Sequence, residues 1–347
     1  MSAVSDHLAA LTDPIVAVLH ASDAVEARGA GTHPLGYPAP AGAVVVRAPS
    51  GVVRHDPDDL TVTVLAATPV AELDAALAEQ GQFVPLDPRD SRATVGGTLA
   101  AGLSGVRRLG FGPLRDHVLE IRCVTGTGAV VKAGGPTVKN VTGYDLVRLL
   151  VGSLGTLAVF VQVTLRCRPL PSVAQWWSTA STPDDVLHNL VRPVAVLADR
   201  SRTYLRFEGE AADAAAVRAT VGDAVEIEGV APPGETCRGR ISVPPGALPA
   251  VGAALDATGP GISWVGEWGV GTMHVGCSSS DELRAARDVA HAHGGWLLIE
   301  SDGADLDPFG VARPNLALQR RVAYAFDPDG KLAPWRYGVE LPAGAHR

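Results

Sequence analysis

Cysteine is scarce in this chain, and what there is lies scattered. The four, Cys123, Cys167, Cys237 and Cys277, form no C-x-x-C pair, so their spacing offers neither an iron–sulfur cluster nor a zinc site. Buried free thiols in a reducing cytoplasm are the expectation. Basic clusters are missing as well. The net charge is −8, which argues against a nucleic-acid partner. No apolar run reaches the roughly 18 residues that span a bilayer. The N-terminus has no cationic stretch followed by an apolar one, so no secretory signal is expected. Two common nucleotide signatures also fail. A G-x-G-x-x-G run beginning at Gly29 meets Pro34 where its last glycine should stand, and runs beginning at Gly126 and Gly269 fail the same test. No G-x-x-x-x-G-K-[ST] occurs.

What the chain does have is glycine and proline, 39 and 26 among 347 residues. Without low-complexity runs, such a load means many ordered turns, and the length allows two domains and a substantial core. The glycines concentrate in residues 94–169, where TVGGTLAAGLSG, GPLRDHVLEIRCVTGTGAVVKAGG and KNVTGYDLVRLLVGSLGTL follow one another. A glycine lets backbone approach a ligand because it has no Cβ. Three such turns in succession suit a ligand lying across several loops, a dinucleotide better than a single phosphate.

Periodicity predicts a helix over residues 5–22, with Leu8, Leu11, Ile15 and Leu19 on one face. A short strand at 25–27 enters the loop R-G-A-G-T-H. A strand at 60–66, a helix at 70–80 ending at Gly81, and a β-branched strand at 157–167 follow. Pro169 and Pro171 then mark a boundary. Beyond it, strands at 175–179 and 204–208 alternate with helices at 183–191 and 213–220. A similar order recurs at 240–243, 248–258, 273–277, 281–293 and 296–300. Such units with antiparallel partners suggest an α+β domain with a central sheet. A last helix at 316–325 leads into FDPDGKLAPWR.

The loop at 28–33 places several backbone N–H groups in one concavity, which suits a pyrophosphate and equally a plain tight turn. Residues 94–105 read either as a small-residue wall for a cofactor ring, with Thr94, Thr98 and Ser104 as hydroxyl donors, or as a helix packed closely on a sheet. Arg115 and Asp116 form either part of a site or a surface ion pair. Thr142 is placed to cap the following helix, with Asp145 in its first turn.

The order of RGAGTHPLG, HDPDDLTVTVLAATPVAELDAALAEQGQFVPLDP, ATVGGTLAAGLSGVRRLGFGPLRD, KNVTGYDLVRLLVGSLGTL and AFDPDGKLAPWR resembles the vanillyl-alcohol-oxidase (PCMH-type) flavoprotein family. KNVTGYD and the compact middle segment are similar to the FAD-binding GlcE-type subunits of bacterial glycolate oxidases. The resemblance covers about residues 25–170 and 322–336. It implies an α+β fold: a PCMH-type FAD-binding domain of two α/β subdomains at 1–170, a cap domain with a central antiparallel sheet at 171–315, and a C-terminal segment at 316–347 returning to the FAD domain. It further implies that Gly29, Ala30, Gly31, Thr32 and His33 hold the pyrophosphate. Pro85, Leu86, Thr94, Val95, Gly96, Gly97, Gly102, Ser104 and Gly105 would line the flavin and ribityl chain. Gly112 and Asp116 would shape the next loop, and Gly155 and Val159 would approach the cofactor near its adenine end.

Three departures from the family sharpen these expectations. Covalent members carry histidine directly after the third small residue of R-G-G-G-H. Here Thr32 stands there and His33 follows, so FAD is expected to be non-covalent. Only about 24 residues precede the strand entering this loop, so the usual first strand is expected to be short or absent and that edge loose. Related D-lactate dehydrogenases and GlcD-type subunits carry H-x-G-D-G-N-x-H for metal and substrate. This chain lacks it: His274 stands alone in GTMHVGC, and His291 and His293 diverge at a helix end. Arg313 and Arg336 are candidates for a substrate carboxylate, and no general base stands out. The resemblance implies an FAD-dependent oxidoreductase acting on a small 2-hydroxy acid in a complex with a GlcD-type flavoprotein subunit and an iron–sulfur subunit. It would be cytoplasmic or peripheral at the inner membrane through its partners. A non-catalytic subunit with a degenerate site and a stand-alone D-lactate-type dehydrogenase remain open.

Overall fold

The computed structural model describes residues 2–135, 144–189, 193–301, 306–310 and 315–338. The chain divides into two compact units. The first comprises Met1–Gly105, Pro113–Leu170 and Arg313–Arg347, and the second Val106–Gly112 and Pro171–Ala312. The fold is α+β.

The first unit is built on a five-stranded antiparallel sheet in the order Val52–Asp56, Thr61–Leu65, Ala158–Arg166, Val118–Thr125, Val130–Gly134. LTVTVLA alternates as a half-buried strand should, with Val62 and Val64 in the core and Thr63 bonded across to the Thr164 hydroxyl at 3.0 Å. The helix Val70–Ala78 buries Val70, Leu73 and Leu77, spaced three and four residues apart, against this sheet. The helices Val95–Ala101 and Leu146–Leu150 pack into the same core. On another side, the N-terminal helix Ser2–Ala21 buries Ile15 and Leu19 with Val124, Val159 and Val161.

Val25–Ala27 is only three residues long, yet its edge is not loose. It pairs in parallel with Val44–Val46 on one side. On the other, Val25 donates to the Lys331 carbonyl at 2.8 Å and accepts from the Ala333 amide at 2.9 Å. The residues after the last helix, Leu316–Phe326, thus complete the sheet that launches the 28–33 loop. Asp327 reinforces this return by accepting from the Leu332 amide at 2.7 Å.

The second unit is an eight-stranded, wholly antiparallel sheet. Its order is Val225–Ile227, Val173–Thr179, Thr203–Gly209, Ala195–Ala198, Ser263–Glu267, Thr272–Cys277, Cys237–Ser242, Trp296–Ile299. Each half is one β-α-β-β-α-β unit with the same internal order, and the second strands of the two halves meet at the centre. The loose rhythm of the sequence is therefore a duplicated architecture. The helices Pro183–Asn189, Ala211–Val221, Leu248–Ala257 and Ser280–Ala292 share one core with the sheet. Val106–Gly112 joins this unit through Gly110, which donates to the Val194 carbonyl at 3.1 Å.

The helix expected to be capped by Thr142 begins at Leu146, with Asp145 itself as N-cap, accepting from the Arg148 amide at 3.1 Å. Asp145 is therefore the cap and not a first-turn residue. Thr142 lies outside the described residues, as does Arg313.

Candidate functional site

In the first unit a strand, a loop and a helix start converge on one cleft. Arg28 donates to the Val46 carbonyl at 3.0 Å, which ends the parallel ladder. Beyond it, the backbone amides of Gly29, Ala30, Gly31 and Thr32 have no acceptor among the described residues. Gly31 sits at φ 73°, the left-handed conformation that turns the loop. Gly29 packs against the start of the helix Val95–Ala101. A Cβ there would lie 2.2 Å from Thr94 Oγ1, the atom that caps the helix by accepting from the Gly97 amide at 3.2 Å. Loop and helix start are thus fitted to each other through one hydroxyl.

The cleft runs in two adjoining, open stretches. Both are walled by Ala27, Arg28, Gly29, Thr94, Gly97 and Ala100. Gly96, Gly155 and Val159 line the first stretch. Ala30, Gly31, Thr32 and His33 line the second, together with Arg336. The Thr32 hydroxyl lies 3.1 Å from Nδ1 of His33. Small side chains make most of this wall, so backbone is accessible along its length.

The other residues singled out by sequence do not line this cleft. Leu86 and Val95 are fully buried in the core, and Pro85 is buried beside them. Gly102 is the left-handed cap of the helix, and Gly105 packs on Asp87. Ser104 accepts from the Leu114 amide at 3.1 Å. Asp116 is half-exposed and pairs with Arg148 at 3.5 Å, the geometry of a surface ion pair. Gly112 belongs to the second unit. Gly96 has a packing duty as well: its amide donates to the Ala66 carbonyl at 2.7 Å, and a Cβ would meet Ala66 at 2.7 Å.

Sequence reasoning passed over Glu26 and Arg47. Glu26 is buried in the middle of V-E-A. It pairs with Arg28, through Nε at 3.2 Å and through Nη2, and with Nη2 of Arg336. Its hydrogen bond raises the Arg28 guanidinium above its ordinary pKa, while burial opposes this. Arg47 donates to the Gly29 carbonyl. The signal was a carboxylate alternating with core residues, since a buried charge needs a partner. Arg336, offered for a substrate carboxylate, lines the cleft, pairs with Glu26 and donates to the Leu35 carbonyl at 2.7 Å.

In the second unit, His274 does not stand alone. Strand register sets it beside Arg240 and Val265, and its Nε2 lies 2.7 Å from Glu267 Oε1. Arg240 approaches the same oxygen at 3.8 Å. His274 and Glu267 are both buried. His293 Nδ1 bonds to the Val289 carbonyl at 2.8 Å, and no group of three or more metal-capable side chains occurs among the described residues.

Four amides without an acceptor among the described residues, a glycine and alanine wall and converging guanidiniums fit an anionic dinucleotide. Residues 11–134 match the family model described as FAD binding domain. By that match the segment is an FAD-binding domain, and the cofactor it indicates is FAD. The chain is 42% identical over 139 residues to glycolate oxidase subunit GlcE of Escherichia coli (strain K12), covering 40% of each chain. It is 38% identical over 144 residues to D-lactate dehydrogenase of Archaeoglobus fulgidus, covering 41% of this chain and 32% of that one. It thus spans less than half the length of these relatives. A solved structure of alkyldihydroxyacetonephosphate synthase shares the fold, with a TM-score of 0.69 and 14% identity over 92% of this chain and 73% of that one.

Proposed function

We propose that this chain is the FAD-binding subunit of a glycolate oxidase-like oxidoreductase acting on a small 2-hydroxy acid. It works with a GlcD-type flavoprotein subunit and an iron–sulfur subunit, in the cytoplasm or against the inner membrane through those partners. The observation that carries this reading is the cleft of the first unit, with its four unengaged amides beside three arginines. FAD, when bound, supplies the two-electron acceptor for the substrate C–H. The residues do the rest. The amides of Gly29, Ala30, Gly31 and Thr32 hold the diphosphate, and Gly97 and Gly155 let backbone come against the cofactor. Thr32 occupies the position that carries the attachment histidine in covalent members, so the cofactor is held without a bond. The second unit serves as the cap.

A second reading is a subunit that binds FAD without oxidising substrate itself. It is favoured by His274, which is already hydrogen-bonded to Glu267. Anaerobic addition of glycolate or D-lactate to the purified chain, followed in the visible spectrum, separates the two. Bleaching by either acid supports the catalytic reading. A flavin that bleaches only once the GlcD-type subunit is added supports the second.

A further inference from the structure

The buried carboxylate of Glu26 needs a function that the fold alone does not demand. It occupies a three-residue strand where an apolar side chain would serve as well. Instead it receives Arg28, next to the unengaged amides, and Arg336, from the far end of the chain. Both arginines wall the cleft at the 29–33 loop. Arg336 is over-determined: its side chain donates to the Leu35 carbonyl, and its own carbonyl accepts from the Tyr37 amide at 3.0 Å. Its Nε is buried with no acceptor among the described residues. With Arg47 at the Gly29 carbonyl, three guanidiniums and one carboxylate meet here. The surplus of positive charge matches a diphosphate, which carries one charge per phosphate.

We propose that Glu26 is a positioning residue that holds Arg28 and Arg336 as a guanidinium pair for the cofactor diphosphate, making the site selective for a dinucleotide over a flavin mononucleotide. The proposal rests on the assignment of the cleft to FAD. A carboxylate that orients two forks reduces the rotamer freedom lost when the anion binds. Positioning and plain charge make opposite demands. Glu26→Gln makes the site more positive, so charge alone would tighten FAD. Loss of the second anchoring oxygen frees one guanidinium and weakens it.

The test is titration of the apoprotein, full chain, with FAD and separately with FMN, at low and moderate salt. Glu26→Gln is expected to weaken FAD about 10-fold while FMN changes less than about 2-fold, narrowing the preference for FAD. Arg336→Lys keeps the charge but not the fork. It is expected to give the same narrowing, and it decides the matter if Glu26→Gln does not fold. Equal losses for FAD and FMN, or tighter FAD in Glu26→Gln, overturn the proposal while leaving the FAD assignment standing. A wild-type apoprotein that takes up no FAD overturns both.

Discussion

Gly29 and Thr94 are 65 positions apart in sequence (94 − 29), yet one atom joins them. In Gly29→Ala the new methyl would lie 2.2 Å from Thr94 Oγ1, far inside van der Waals contact, but 3.4 Å from its Cβ, which is ordinary. The cheapest escape is rotation of Thr94, which removes the hydroxyl from the Gly97 amide. Loss of that cap costs about 1 kcal/mol, and an off-rotamer side chain adds on the order of 1 kcal/mol. Gly29→Ala alone should therefore destabilise the first unit by about 2 kcal/mol. Thr94→Ala alone should cost about 1 kcal/mol for the cap. The double variant has neither clash nor cap, and should also cost about 1 kcal/mol. The coupling energy is then about 2 kcal/mol, within the range for residues in contact. Urea unfolding of the four proteins measures it, provided the slopes agree. Additive effects within about 0.5 kcal/mol would refute the contact between loop and helix start.

Acid should act on the first unit partly through His117. It is buried, and burial first, then the positive charges of Arg168 and Arg166, push its pKa down to about 4 against the raising influence of Asp116 and Asp87. The unfolded chain thus binds the proton first, so stability falls as pH drops from about 6.5 toward 4, by up to about 3 kcal/mol. His117→Leu should flatten this part of the curve of urea midpoint against pH; an unchanged slope would contradict it. The thiols of Cys123 and Cys167, raised to about 12 by burial, and of Cys277, raised to about 11, should resist a thiol reagent at pH 8 in the native state. Half-exposed Cys237 should react before them, as peptide mass mapping would show; early labelling of Cys123 or Cys167 would mean that the core opens locally.

Repetition and glycine spacing made much of this molecule readable. The periodic helices at 70–80, 248–258 and 281–293 were legible because each hides one apolar face. Two central strands of the second unit were not. Ala195–Ala198 is four small or apolar residues buried on both faces, and Ser263–Glu267 mixes apolar and polar side chains without alternation. Neither offers a period to read. In the site, the loop at 28–33 and the turn at 94–97 were marked by glycines. The guanidinium cluster was not, because it joins residues 26, 28 and 336, and only the pairing of Val25 with the segment around Leu332 brings them together. Gly102 and Gly105, read as cofactor contacts, also let backbone segments approach each other. A glycine records close approach but not what approaches.

Every role assigned to the first unit turns on whether its cleft holds FAD without a covalent bond. The decisive measurement is the visible spectrum of the purified 347-residue chain, reconstituted with FAD, before and after acid precipitation. A bound flavin spectrum that passes wholly into the supernatant is the predicted result. Failure to take up FAD would contradict the site itself, and flavin retained in the pellet would contradict the part assigned to Thr32.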